Sequence, residues 1–568
     1  GRNDPCPCGS NKKYKQCCSS RKETPTSGGN PGAREAFALA RAFQAAFEHH
    51  RAGRLQQAES YYRQVLHIDP GHPDTLHLLG MIAYETGRSD EAVALIGRAV
   101  ERSPSNPFFH GNLGNVLQAC GDVEAAIASY GRALAIKPDL AEVHSNLGKA
   151  LQEQGRSDEA IACYRKALAI KPDLAEAQSN LGNALLDQGN PDEAIACYRT
   201  VLAFRPDYAE AHYNLGNVLR DRGELDEALA CYRAALASKP DLVQAHVNLG
   251  NALRDRGKPD EAVASYRRAL ALNPYITQAH INLGNLLLDQ GKPVEALASY
   301  HTALAIDPES TQAYIGIGNT LREQGKPDEA IACYRQVIRI DPENSIAVHL
   351  LTALSGGESE CSPRRYVEIL FDNMAYKFDT HLLDNLRYRT PEDLVTLIRG
   401  FAEPPPEKWD ILDLGCGTGL VGAAISPYAR RLVGVDLSSR MLAKARERDL
   451  YHRLEQSDLV SMMRGECEKD YDVVTAADVF IYIGDIDAAI REVKRLLRGG
   501  GLFGFSLEGL DMPLDYKLMP TTRYAHSPAY VERLAVKHGF RVHRMLPAQI
   551  RLEQARPVDG WLVLLGML

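Results

Sequence analysis

No stretch of this 568-residue chain approaches 18 consecutive apolar residues, so a membrane-spanning helix is not expected. The opening residues Gly1-Arg2-Asn3-Asp4 lack the charged-then-apolar order of an export signal, and the expected location is the cytoplasm. Without an initiator Met, a further segment upstream stays open. Basic charge is not in excess. With 73 acidic and 65 basic residues the formal net charge is -8, which gives no electrostatic ground for direct nucleic-acid binding by the whole molecule. Aromatic residues are few, at 7%, beside 45% apolar and 24% charged, the balance of a soluble and largely helical protein of three or four domains. Twelve cysteines over this length are too sparse for a disulfide scaffold and point to reducing surroundings.

What the chain does have is repetition. Glycine recurs at Gly80, Gly114, Gly148, Gly182, Gly216, Gly250, Gly284 and Gly318, a period of 34, and proline follows in phase from Pro70 to Pro342. Each unit reads as two helices, with glycine allowing close approach, an acidic start favouring the positive end of the second helix, and proline closing it. Cys163, Cys197, Cys231 and Cys333 share one position, where a small apolar residue suits a helix contact. The pattern resembles the tetratricopeptide repeat (TPR), and it predicts nine units over residues 39–344 with atypical first members, Ala46 standing for the glycine and Ile96 for the aromatic. The resemblance implies an all-α solenoid, or superhelix, with a concave groove that takes extended partners. Asn112, Asn146, Asn180, Asn214, Asn248 and Asn282 recur once per unit, so a ladder of side-chain amides is expected in the groove, holding either a peptide backbone or the next repeat.

Ahead of the repeats, Cys6, Cys8, Cys17 and Cys18 bring four thiols within 13 residues around a Gly9-Ser10-Asn11 turn. So short a segment builds no core, and tetrahedral thiolate ligation of a metal would supply its folding free energy. Zinc suits the ligands, iron is not excluded, and an exposed redox cluster is the alternative. The run resembles the SEC-C motif, which implies a docking module for a protein or the ribosome over residues 1–18. Residues 19–38, rich in Ser, Thr, Gly and Pro, read as a linker.

Residues 345–365 read as a helical cap and linker, and from residue 366 the pattern changes. Strand-like runs at 411–414, 432–435, 472–476 and 502–507 alternate with helical stretches, and 541–546 with 560–566 would close the set as an antiparallel pair. This predicts a Rossmann-like α/β sheet of seven strands over 366–568. Asp413-Leu414-Gly415-Cys416-Gly417-Thr418-Gly419 ends the first strand in a glycine turn that lets a ligand approach the backbone, and Asp436, just past the second strand, is placed to accept two ribose hydroxyls. Leu420 stands where a dinucleotide-binding turn would want its third glycine. These residues, with Leu437, Gln456-Ser457-Asp458-Leu459, the run Tyr471 to Phe480 through Ala477, and Leu496 to Gly501, resemble class I S-adenosylmethionine (SAM) dependent methyltransferases. The resemblance implies SAM as cofactor, held by Asp413, Gly415, Cys416, Gly417, Gly419, Asp436, Leu437 and Ala477, with Asp458 against the adenine amino group and Leu459 on its ring. The whole order, including Phe371 to Asp379 ahead of the core, resembles bacterial methyltransferases that carry TPR units.

Methyl transfer from a sulfonium is an in-line displacement that needs alignment and exclusion of water more than side-chain chemistry. An amine or alcohol acceptor wants a base, which makes Asp478, Tyr482 and His526 the candidates on the acceptor side. No Asn/Asp-Pro-Pro-Tyr run follows the fourth strand. Three functions stay open: an enzyme methylating a protein or peptide held in the groove, a small-molecule methyltransferase localised by its repeats and its SEC-C motif, and a scaffold with a non-catalytic SAM-binding domain.

Overall fold

The computed structural model describes residues 31–380, 382–383, 388–405, 407–553 and 556–567. Cys6, Cys8, Cys17 and Cys18 lie outside these residues. The chain divides into two compact units, Gly1–Asn214 and Leu215–Leu568. Among the described residues, nine helix pairs run from Pro31 to Ile340. The first helix, Pro31–Arg51, begins inside the segment expected to be a linker, with proline at its first position, where no backbone N–H is needed. No helix among the described residues is long and apolar enough to cross a membrane.

In the first unit one contact recurs in the helix pairs that carry Tyr130, Tyr164 and Tyr198. The tyrosine of the second helix lies on the glycine of the first: a Cβ on Gly148 would sit 2.7 Å from Tyr164 Cε1, and one on Gly182 2.7 Å from Tyr198 Cε1. Tyr130, Tyr164 and Tyr198 are fully buried. Ile96 fills the same place over Gly80, which is why the atypical second repeat keeps its geometry. The turn between the helices is closed by Gly155 in the left-handed region (φ +75°), with the Gly155 N–H on Gln152 O and the Arg156 N–H on Leu151 O, so the last carbonyls of the first helix are satisfied. Cys163 and Cys197 are buried at the helix contact.

The second unit holds the later repeats, including helix pairs Val243–Asp255 with Pro259–Leu272 and Thr277–Asp289 with Pro293–Ile306, then helix Ser345–Ser355 and the C-terminal domain. That domain is built on strands β1 (Trp409–Leu414), β2 (Ala429–Asp436), β3 (Arg453–Gln456), β4 (Tyr471–Ala476), β5 (Leu497–Gly509), β6 (Tyr516–Leu518), β7 (Tyr524–His526), β8 (Phe540–Glu553) and β9 (Arg556–Met567). Parallel pairing in the order β3-β2-β1-β4-β5 is continued by β9, antiparallel to β5, and by β8 beyond it. Seven strands thus form the main sheet as expected; β6 and β7 form a short hairpin paired to the end of β5 at Glu508 and Gly509.

Alternation along the strands sends residues to two cores. Ile411, Leu432, Val473 and Leu502 pack under helices Thr390–Phe401 and Leu420–Ile425, while Leu412, Val433, Val474 and Phe503 pack under helices Asp487–Leu496 and Pro528–Lys537. All six residues of β1 are buried. With helices on both faces, the exits of β1 and β4, where the strand order reverses, are the open crevice.

The glycine contact predicts opposite outcomes for two glycines. Gly131, in an exposed helical position with nothing within 4 Å of an added Cβ, should tolerate alanine and gain about 0.5–1 kcal/mol. Gly148→Ala should lose about 1–3 kcal/mol by displacing Tyr164. Native-state amide exchange over residues 123–170 reads both; a loss of protection in Gly131→Ala as large as in Gly148→Ala would contradict this reading.

Candidate functional site

The crevice leads into a cavity of about 390 Å³. Its floor is the turn after β1. Gly415, Gly417 and Gly419 take φ of +62°, +53° and +87°, a backbone that residues with a Cβ rarely adopt. Gly415 is also closed to any side chain, because an added Cβ would meet Val479 Cγ2 at 2.5 Å. The turn is fixed from β2: the Gly417 N–H donates to Asp436 Oδ2 and the Ser438 N–H to Oδ1, both at 2.9 Å. Burial raises the pKa of this carboxyl while those backbone donors hold it down. Asp436 lines the cavity, and a carboxylate there is the kind of acceptor a vicinal diol needs.

Gly415, Cys416, Gly417, Asp436, Leu437, Asp458, Leu459, Ala477, Asp478 and Tyr482 all line the cavity. Asp458 caps helix Leu459–Gly465, its Oδ1 accepting from the Ser461 N–H at 2.9 Å. Burial alone would raise its pKa, but the Ser461 hydroxyl and N–H outweigh that and lower it. The arrangement fits an adenosyl ligand: a diol acceptor at the end of β2, an amino-group acceptor and an apolar side chain after β3, and bare backbone at the end of β1.

Three expected site residues are not among those lining the cavity. Asp413 lies fully buried beneath the turn, accepting from the Tyr451 hydroxyl at 2.7 Å and the Thr475 hydroxyl at 2.8 Å. From there it ties β1 to β4 and to Tyr451 beneath the turn. Gly419 is buried, and an added Cβ would meet Tyr451 Cε2 at 3.1 Å and Arg448 Cδ at 3.2 Å. His526 is sealed in β7, its Nε2 at 3.0 Å from the carbonyls of Ile483 and Gly484, and burial lowers its pKa to about 4.

The asparagines are likewise engaged, in bonds between repeats. In the first unit the Nδ2 of Asn112 meets His77 Nε2, Asn146 donates to Asn115 and Asn214 to Asn183; in the second, Asn248 donates to Asn217 and Asn282 to Asn251. Asn180 stands in the repeat after Lys149, where this partner asparagine is replaced. One amide donor of each of these bonded asparagines therefore serves the contact with the neighbouring repeat.

The run from Phe371 to Asp379, noted in the sequence without assigned roles, and its neighbours also build the site. Helix Arg364–Met374 and Phe378 roof the cavity through Val367, Leu370, Phe371 and Met374. Asp372 accepts from the Ser438 hydroxyl at 2.5 Å, and Asp379 binds the Thr418 hydroxyl and Arg448. The next residues reach the repeats of the same unit: the Tyr376 hydroxyl donates to Asp289 Oδ2 at 2.9 Å, Lys377 pairs with Asp289, and Arg440 Nη1 lies 2.7 Å from Asp255 Oδ1. Tyr388, Arg364, Arg523 and Arg551 complete the wall. Asp478, with φ +54°, is locked there: its Oδ1 accepts from the Ser506 hydroxyl at 2.9 Å and its Oδ2 lies 3.2 Å from Arg551 Nη1. Among the described residues no group of three or more His, Cys, Asp or Glu side chains is placed to hold a metal.

Three kinds of family model match the chain. A methyltransferase-domain family model matches residues 412–503, tetratricopeptide-repeat models match segments between 49 and 354, and the SEC-C motif model matches 2–20. Nodulation protein S of Azorhizobium caulinodans is 30% identical over 103 residues, 17% of this chain and 47% of that protein. The malonyl-(acyl-carrier protein) O-methyltransferase of Salmonella typhimurium is 24% identical over 182 residues, 31% of this chain and 68% of that one. The ubiquinone biosynthesis O-methyltransferase of Pseudomonas aeruginosa is 31% identical over 98 residues, 16% and 40% of the two chains. Apart from the Salmonella enzyme, the chain spans about half or less of the length of these relatives. Among solved structures, the TPR protein YrrB, described as having an unusual peptide-binding site, is 26% identical, with 33% of this chain and 96% of that one covered at a TM-score of 0.30.

Burial sets a pH dependence at Asp413, whose carboxyl is pushed up to about 7. An unfolded aspartate titrates near about 4, so between these values the fold holds a proton the unfolded chain has released. The stability this group contributes is full below about pH 4 and is lost as the pH rises through about 7. Asp413→Asn should therefore flatten the fall in melting temperature of the C-terminal domain over that range; an unchanged slope contradicts the assignment.

Proposed function

We propose that this tetratricopeptide-repeat chain with a C-terminal methyltransferase domain is a SAM-dependent methyltransferase acting on a protein or peptide brought to it by its repeats. The observation that carries the cofactor reading is Asp436, with both carboxylate oxygens fixed by backbone N–H groups at the edge of a turn whose left-handed glycines, Gly415 and Gly417, leave backbone open to the cavity. SAM, when bound, supplies an electrophilic methyl group on a sulfonium. The chain's own residues do the rest: Asp436 accepts the ribose hydroxyls, Asp458 and Leu459 receive the adenine, Gly415 to Gly417 give backbone contact, and Val367, Phe371 and Phe378 exclude water from above.

Two features support a macromolecular acceptor. The long run of repeats is an interaction module out of proportion to what a small metabolite needs. The roof of the cavity is tied to the repeats through Tyr376, Lys377 and Asp289, so an occupant of those repeats bears on the segment that covers the cofactor. The SEC-C segment adds a second docking point, for a protein or the ribosome, with zinc or iron held by Cys6, Cys8, Cys17 and Cys18; elemental analysis of the purified chain decides which metal, and none at all would remove this part.

Asp436→Ala should weaken SAM binding by about a hundredfold or more, as the loss of two charge-assisted hydrogen bonds requires, while the far-ultraviolet spectrum stays that of the parent. Calorimetry with SAM measures it, and labelled SAM with a cell extract should mark protein bands. Unaltered affinity in the variant would end the cofactor reading; label confined to small molecules would end the macromolecular one.

A further inference from the structure

The cofactor-side groups sit at the ends of β1, β2 and β3, which leaves the part of the cavity over β4 and β8 to the methyl acceptor. That part of the wall carries two arginines, Arg523 and Arg551. Arg551, only 2% exposed, is bonded to Glu508 and Asp478; Arg523, on the same wall, hydrogen-bonds the Tyr482 hydroxyl. Among the described residues, no histidine or lysine lines the cavity. Burial pushes the Cys416 thiol and the Tyr388 phenol well above their ordinary values and raises Tyr482 as well, so none of them takes a proton near neutrality. Asp478, the remaining acid on this side, is held between Ser506 and Arg551.

An ammonium or alcohol acceptor must lose a proton during transfer; a carboxylate arrives without one. We propose that the acceptor atom is a carboxylate oxygen, gripped by Arg523 with Arg551 as a positioning residue behind it, and that the product is a methyl ester. The carboxylate oxygen forms a bond to the methyl carbon as the carbon–sulfur bond breaks, and the sulfur keeps the electron pair. A sulfonium and a carboxylate thereby become a neutral thioether and a neutral ester, with no proton moved. Charge disappears along this path, so the apolar wall of Val367, Phe371 and Ile481 favours the transition state over the separated ions. Arginine supplies the two-pronged grip that orients a planar carboxylate. The inference rests on the methyltransferase reading.

Calorimetry on the full chain saturated with S-adenosylhomocysteine, using octanoate, octylamine and octanol as probes, tests it. Octanoate should bind about tenfold or more tighter than the other two, as expected of a charge-assisted hydrogen bond. Arg523→Gln should remove that preference with the affinity for S-adenosylhomocysteine unchanged, and Arg523→Lys should keep part of it. Label passed from SAM to an extract should leave as methanol in mild base. Equal or tighter binding of octylamine or octanol, a preference that survives Arg523→Gln, or base-stable label overturns the proposal. Failure to bind S-adenosylhomocysteine at all would instead remove the methyltransferase reading.

Discussion

The carboxylate of Asp436 joins two loops that would otherwise be independent. One oxygen takes the N–H of Gly417 in the turn after β1, the other the N–H of Ser438 after β2. Left-handed glycines leave the backbone of that turn bare, and a charged acceptor stiffens it at the place where a ligand would lie. Beneath, Asp413 receives Tyr451 and Thr475, and Tyr451 lies so close to Gly422 and Gly434 that neither position admits a Cβ. Above, Asp372 reaches the same Ser438. The site is therefore held from the core, from the next strand and from its roof, and a change in any of the three is felt at the turn.

Glycine against tyrosine is also the rule of the repeats. From Tyr130 to Tyr334 each second-helix tyrosine is buried on a first-helix glycine, and its hydroxyl often reaches an asparagine, as Tyr198 reaches Asn183 at 2.6 Å in the first unit and Tyr300 reaches Asn285 at 2.6 Å in the second. The following repeat donates to several of these asparagines, so helix packing and repeat stacking share one polar group. In the second unit the acids at the ends of helices Val243–Asp255 and Thr277–Asp289 meet Arg440, Tyr376 and Lys377, which places the roof of the cavity in the charge of the repeats.

Much of this was legible in the sequence because the determinants are local. A glycine turn closing an apolar run, an acid just past the next run and a 34-residue period need no knowledge of distant contacts. Where the determinants are non-local, the sequence carried less. Nothing near Asp413 in sequence announces Tyr451, 38 residues on, which donates to it beneath the turn. His526 sits before Ser-Pro, as a surface loop would, but the three-residue strand that buries it has no periodicity to detect. Asn112 to Asn282 show the same limit: spacing puts them on one face without saying whether a partner or the neighbouring repeat takes the amide. Arg551 is the lone cation between Ile550 and Leu552, and only its meeting with Glu508 and Asp478 gives it a role.

The central claim is that the bare glycine turn and Asp436 together form the seat of an adenosyl ligand. A crystal structure of the full chain with S-adenosylhomocysteine tests it most directly. Both ribose hydroxyls within hydrogen-bonding reach of Asp436 and the adenine beside Asp458 and Leu459 is the predicted result. A ligand bound elsewhere, or the Asp436 carboxylate turned from the cavity with its bonds to Gly417 and Ser438 broken, would contradict the account.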